Sequence, residues 1–147
     1  LEAGVVLGDA VAVDGALSVL RWLTAVEVRD GTFSPTPVGG RGPGDAPGRR
    51  FDQQPIEAAC MAEACAAAHR LTGDDTRLYH LNLAAHWFLG RNDVGVILHG
   101  PVTGGGYDGL TPSGPNLNQG AESTIAFVST MALLAESGSA AEVVAVT

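Results

Sequence analysis

The chain has 147 residues, is 46% hydrophobic and 16% charged, and carries a formal net charge of −8, the balance of one globular domain. No run of about 18 apolar residues is present to span a bilayer. Eight Arg and no Lys, clustered only at Arg49-Arg50 with Arg41 nearby, give no basic face for a nucleic-acid backbone. The stretch at Leu1 lacks the basic and apolar regions of a signal peptide, which leaves either a cytoplasmic protein or a piece whose start lies upstream.

Residues 11 to 29 place Val13, Ala16, Leu17, Leu20, Leu23 and Val26 at helical spacing, with Arg21, Glu27 and Arg29 elsewhere, and so predict an amphipathic helix stopped by Asp30-Gly31. Between there and Gln53 come five further Gly and four Pro, too many breakers for helix or central strand, so a long loop is expected. Loops of that length are functional or disordered more often than incidental. Pro55 suits a first helical turn and Gly73 the position just past an end, which bounds a helix at about 55–72. Its surface is Ala, Cys, Met or Ile nearly all round, the composition of an interior helix. Cys60 and Cys65 lie about 140° apart on it, so they read as two buried structural thiols, with neither a disulfide nor a metal pair.

Asp74 is placed to cap a second helix with Leu78, Leu81, Ala85, Phe88 and Leu89 on one stripe, opposite Arg77, His80 and Asn82, which reads as peripheral. A second long loop follows Gly90, with a short strand expected at residues 94–98. Residues 119–135 carry Ile125, Phe127, Val128, Met131, Leu133 and Leu134 on most faces and predict a second interior helix. Trp22 and Trp87, on amphipathic helices, are expected in the core. Interior helix, short turn, peripheral helix, long loop, interior helix is the alternation of a ring of helical hairpins, whose interior helices run parallel and open their N-termini on one rim. Two loops of this length are incompatible with a 34-residue tandem helical repeat.

The segments Asp30-Gly31-Thr32-Phe33-Ser34-Pro35, Phe51-Asp52-Gln53-Gln54-Pro55-Ile56-Glu57-Ala58, Phe88-Leu89-Gly90-Arg91-Asn92-Asp93, Gly106-Tyr107-Asp108-Gly109-Leu110 and Asn116-Leu117-Asn118-Gln119-Gly120-Ala121-Glu122-Ser123-Thr124 carry a resemblance. Together they resemble the C-terminal part of bacterial six-hairpin glycosidase-like proteins, over about residues 11–136. The resemblance implies an all-α fold, a partial (α/α) toroid of helical hairpins with two long loops. Residues 1–147 would then form a single incomplete domain, with 138–147 as a flexible tail. It also implies a sugar or glycan ligand and an attached or neighbouring glycosyltransferase, with no cofactor.

Gln54-Pro55-Ile56-Glu57 and Gln119-Gly120-Ala121-Glu122 repeat Gln-x-x-Glu at two helix starts, where a carboxylate can serve as a reciprocal cap in a structural role. The functional reading makes Glu57 and Glu122 carboxylates on a bowl floor. Glycoside cleavage generally needs two carboxyl groups, about 5–5.5 Å apart for retention and about 6.5–9.5 Å for inversion. Glu57, Glu122, Asp52 and Asp108 are the catalytic candidates, and sequence does not select the pair. Tyr107 offers a face for sugar stacking beside Asp108, and Gln53, Gln54, Asn116, Asn118 and Gln119 offer uncharged donors and acceptors for hydroxyls. Each also has a turn-forming or packing explanation. Gly104-x-Gly106-x-x-Gly109 matches a dinucleotide-binding pattern by letter, but Pro112 and Pro115 bar the helix that pattern needs. His69, His80, His86 and His99 show no metal-ligand spacing, and no serine nucleophile elbow is present. Three functions remain open: a domain that binds and hydrolyses or processes a glycan, a non-catalytic carbohydrate-binding or scaffolding module attached to a glycosyltransferase, and a helical-repeat interaction protein.

Overall fold

The computed structural model describes residues 1–42 and 51–138, which form five helices and two short antiparallel ribbons. The pair Arg49-Arg50 and residues 139–147, most of the expected flexible tail, lie outside the described residues. Helix α1 (Glu2–Leu7) ends on Gly8 in the left-handed conformation, φ 67°. The Asp9 carboxylate accepts the Ala12 N–H at 3.0 Å and so caps α2 (Ala10–Glu27).

Helix α2 stops two residues before the expected end. Val28–Arg29 (β1) turns back to pair with Thr32–Phe33 (β2), Val28 opposite Phe33 and Arg29 opposite Thr32. Asp30 and Gly31 both have positive φ, 49° and 71°. Two successive left-handed residues make the tight hairpin turn whose twist matches the flanking strands, so Asp30-Gly31 builds a hairpin here instead of merely ending a helix.

Helices α3 (Pro55–Thr72) and α4 (Asp75–Phe88) fall where Pro55, Gly73 and Asp74 put them. Gly73 is left-handed and its N–H bonds to the His69 carbonyl at 2.8 Å, while the Asp74 side chain accepts the Thr76 N–H at 3.0 Å. The strand expected at 94–98 is not formed. Asn92 Oδ1 accepts the N–H groups of Val94, Gly95 and Val96, and its Nδ2 donates to the Trp87 and Val96 carbonyls at 2.7 Å each, which coils that stretch into a loop. Instead Gly109–Thr111 (β3) pairs with Gly114–Asn116 (β4), Leu110 opposite Pro115, and α5 (Ala121–Glu136) closes the described chain.

Helix α3 packs against both α4 and α5, which also touch each other through Phe88 and Phe127. The buried face of α3 is mostly small, Ala58, Ala59, Ala62, Cys65, Ala66 and Ala68 beside Pro55 and the larger Met61, so the neighbouring backbones can approach. The starts of α3 and α5 meet through the β3–β4 ribbon, while Ala66, His69 and Arg70 near the end of α3 line one cavity with Leu133, Glu136 and Ser137 at the end of α5. The two helices therefore run parallel, as the repeated Gln-x-x-Glu implied.

The relative burial of α4 and α5 reverses the expectation. On α4, Leu81, Leu83, Ala84, Ala85, Trp87 and Phe88 are all buried, and even Arg77 is covered, with its Nε 3.3 Å from Asp74 Oδ2. On α5 only Ser123, Ala126, Thr130 and Leu134 are buried, and Ile125 is 67% exposed. Periodicity counted the apolar residues on α5 correctly, but its outer face meets no neighbour among the described residues. Trp22 likewise stands 64% exposed on α2, contrary to expectation, whereas Trp87 is fully buried. Of the two thiols, Cys65 is buried, which pushes its pKa up to about 12, and Cys60 is exposed; neither is in a disulfide. No helix among the described residues is long and apolar enough to cross a membrane.

Candidate functional site at the shared helix rim

Two adjacent residues join the starts of α3 and α5. Gly109 packs where a side chain would meet the Gln53 carbonyl at 2.8 Å and Gln54 Nε2 at 3.1 Å, just ahead of α3. The neighbouring main chain is fixed by a bridge in which Gln53 N–H donates to the Leu110 carbonyl at 3.0 Å and Leu110 N–H donates back at 2.9 Å. One residue earlier, Asp108 Oδ1 accepts the Gly120 N–H at 2.7 Å and the Ser123 hydroxyl at 2.6 Å, and its Oδ2 accepts from the Asn118 amide. These donors, Ser123 foremost, then Asn118 and Gly120, hold the Asp108 carboxyl below the usual carboxylate range. It stands at the positive end of α5 as a settled anion.

The loop beside it is equally specified. A side chain at Gly106 would collide with the Ser123 carbonyl, Gly105 leaves room for the Gln119 side chain, and Gly100 leaves room for Gln119 and for the Thr103 hydroxyl, which donates to Gln119 Oε1 at 2.7 Å. His99 stacks on Phe127 of α5 with ring centres 4.8 Å apart and planes 13° from parallel, and Phe127 in turn tilts against Phe88.

The sequence candidates distribute as follows. Glu57 and Glu122 are exposed in the first turns of their helices. The reciprocal caps do not form as read: the Gln54 side chain makes no capping bond, and the cap of α5 is Gly120, not Gln119. Asp52 is exposed, with its carbonyl accepting the Val38 N–H at 2.9 Å. Gln54 and Tyr107 are half-buried, and Asn116, Asn118 and Gln119 are exposed, with Asn116 Oδ1 accepting the Asn118 N–H at 3.2 Å. Gln53 differs from the reading as a ligand-facing amide, because it is fully buried. Its Oε1 accepts the Trp87 indole N–H at 3.0 Å and its Nε2 donates to Asp93 Oδ2 at 2.6 Å, so its place is beneath the rim. The structure thus gathers Asp108, Asn118, Gln119 and Gln54 around one ribbon, with Glu57 and Glu122 on the helix starts beside it.

Three further polar residues, Ser34, Asp93 and Glu27, tie this region together. Ser34 Oγ donates to Asp93 Oδ2 at 2.5 Å, linking the first loop to the second. Glu27, read only as part of the polar face of its helix, is 2% exposed, and its Oε1 accepts the Thr36 N–H at 2.7 Å. Burial pushes its carboxyl above the ordinary glutamate value and the charge of Glu57 adds to this, against the bonds from Thr36 and the charge of Arg41. No local pattern marks these positions, since their partners are distant in the chain. The rim therefore offers uncharged amides, a half-buried tyrosine and one carboxylate held ionised, while Glu27 stays buried behind the first loop. Among the described residues no group of three or more His, Cys, Asp or Glu is placed to hold a metal ion. No protein-family model matches the chain, and no curated protein matches it.

Proposed function

We propose that the chain is part of a carbohydrate-active (α/α) toroid, and that the rim built by the starts of α3 and α5 binds a neutral glycan for hydrolysis or other processing. The observation that carries this reading is the Asp108–Gly109 junction, which draws both helix starts and the exposed amides of the second loop to one side. Hydroxyl-rich ligands need mixed donors and acceptors without strong charge, and Asn116, Asn118 and Gln54 supply them beside the half-buried Tyr107 ring. The exposed carboxylates Glu57 and Glu122 on the two helix starts are the groups available to acid-assisted glycoside cleavage, which needs a pair of carboxyls.

Asp108 favours a second reading, a non-catalytic carbohydrate-binding or scaffolding module attached to a glycosyltransferase. Both of its oxygens are engaged and its pKa is low, so it accepts hydrogen bonds and is no proton donor. Calorimetric titration of the chain with a panel of neutral oligosaccharides tests the shared part of both readings. Binding should weaken in Tyr107→Ala by roughly 1–3 kcal/mol through lost stacking. A reducing-sugar assay on any oligosaccharide that binds then separates processing from binding alone. Failure of every sugar to bind the folded chain would leave the interaction-protein reading.

A further inference from the structure

We propose that the Glu27 side chain is a pH-sensitive latch that holds residues 34–38 against the rim and releases them when the carboxyl loses its proton. Glu27 is the last residue of α2 and grips this segment twice. Its carbonyl accepts the Ser34 N–H at 2.8 Å, and its Oε1 accepts the Thr36 N–H at 2.7 Å. The far end of the segment is pinned by Val38 N–H on the Asp52 carbonyl at 2.9 Å, and Ser34 Oγ ties its near end to Asp93 at 2.5 Å. The segment therefore spans from the end of α2 to the exposed Asp52 just ahead of α3, and Glu27 is the titratable group whose own side chain fastens its middle.

The groups facing that carboxyl are the Thr36 N–H and hydroxyl, Glu57 from α3 and Arg41 from the same loop, with Asp93 of the second loop one hydrogen bond further away through Ser34. A neutral carboxyl sits in a 2% exposed site without an ionic desolvation cost. An ionised one is charged in that site beside Glu57, with Arg41 as counter-charge, and gains most by reaching water. Reaching water means lifting residues 34–38. The closed segment holds the proton more tightly than the open one, so rising pH shifts the population toward open. This latch does not depend on the glycan reading, since its readout is the segment itself.

Amide hydrogen exchange of the wild-type chain, corrected for the intrinsic rise of exchange with pH, tests it. Protection of Thr36 N–H should fall severalfold as pH rises through and above the ordinary glutamate range, as a carboxyl shifted upward releases its proton. Protection of Leu110 N–H, bonded to the Gln53 carbonyl, should stay level. Glu27→Gln keeps the acceptor for Thr36 without the titration and should show level protection at both amides. Level protection of Thr36 in the wild type, a parallel loss at Leu110, or an undiminished pH response in Glu27→Gln would each overturn the latch. Should Glu27→Gln not fold, carbon-13 titration of the Glu27 carboxyl decides. A midpoint above the ordinary glutamate value that coincides with the loss of Thr36 protection supports the latch, and a midpoint at the ordinary value rejects it.

Discussion

Asp108 Oδ1 lies 2.7 Å from the Gly120 nitrogen and accepts its N–H, so the carboxylate of the second loop serves as the anchor of α5. Gly120 itself has no side chain with which to cap the helix, and Asp108, twelve residues upstream, takes that role. The same carboxylate gathers Ser123 and Asn118, so one residue sets both the helix start and the amides of the rim.

Asp108→Asn should therefore destabilise the chain by about 1–2 kcal/mol at neutral pH, because an amide cannot accept from three donors as a carboxylate does. Since the folded carboxyl is held below its ordinary value, its stabilisation is full above that value and is lost as pH falls through the lowered one. Thermal melts of wild type and variant should converge on acidification. A gap that stays constant with pH would mean that the charge of Asp108 contributes nothing.

Two glycines of opposite setting make a paired test. A side chain at Gly106 would strike the Ser123 carbonyl, which is main chain and cannot swing aside. Gly106→Ala should cost about 1–3 kcal/mol. Gly15 lies within α2 with open space where a side chain would stand. Gly15→Ala should stabilise by about 0.5–1 kcal/mol through helix propensity. Denaturant melts of the two variants should move in opposite directions, and equal shifts would show that the packing at Gly106 is looser than described.

The two tryptophans should report separate environments. Trp87 is fully buried, with its indole N–H on Gln53, and Trp22 is 64% exposed. Acrylamide should quench about half of the emission readily and the rest poorly, with Trp22→Phe removing the quenchable part. Trp87→Phe leaves the buried Gln53 oxygen short of a donor and should cost roughly 1–3 kcal/mol. Uniform quenching would contradict the packing of α4.

What the sequence revealed follows how local the physics is. The bounds of α3 and α4 were legible because Pro55, Gly73 and Asp74 act on their own turns. The parallel placement of α3 and α5 was legible from a repeated motif and two long loops. Residues 28–33 were misread because Asp30-Gly31 serves equally as a helix stop and as a hairpin turn, and Pro112 and Pro115 concealed an edge ribbon that tolerates proline. Gln53 looked like a ligand residue because the groups that bury it, Ser34, Trp87 and Asp93, are 19, 34 and 40 positions away. Burial of α4 and exposure of α5 depend on which neighbours exist, and helical periodicity carries no such information.

The apolar residues left outside have a consequence in solution. Val6, Leu7, Val11 and Trp22 are exposed on α1 and α2, as are Ile125 and Val128 on α5. Sedimentation velocity should show concentration-dependent association that weakens when Val11 and Trp22 are changed to Ser, since apolar surface of this extent favours burial against another molecule. A monodisperse monomer at every concentration would show that these side chains are too dispersed to drive association.

The claim that the rim binds a glycan is tested most directly by following the backbone amide spectrum of isotope-labelled chain during titration with neutral oligosaccharides. Shifts should concentrate at Tyr107, Gly109, Asn118 and the first turns of α3 and α5, with His69 and Glu136 at the opposite end unmoved. Shifts confined to that opposite end, or no shifts with any sugar at millimolar concentration, would contradict it.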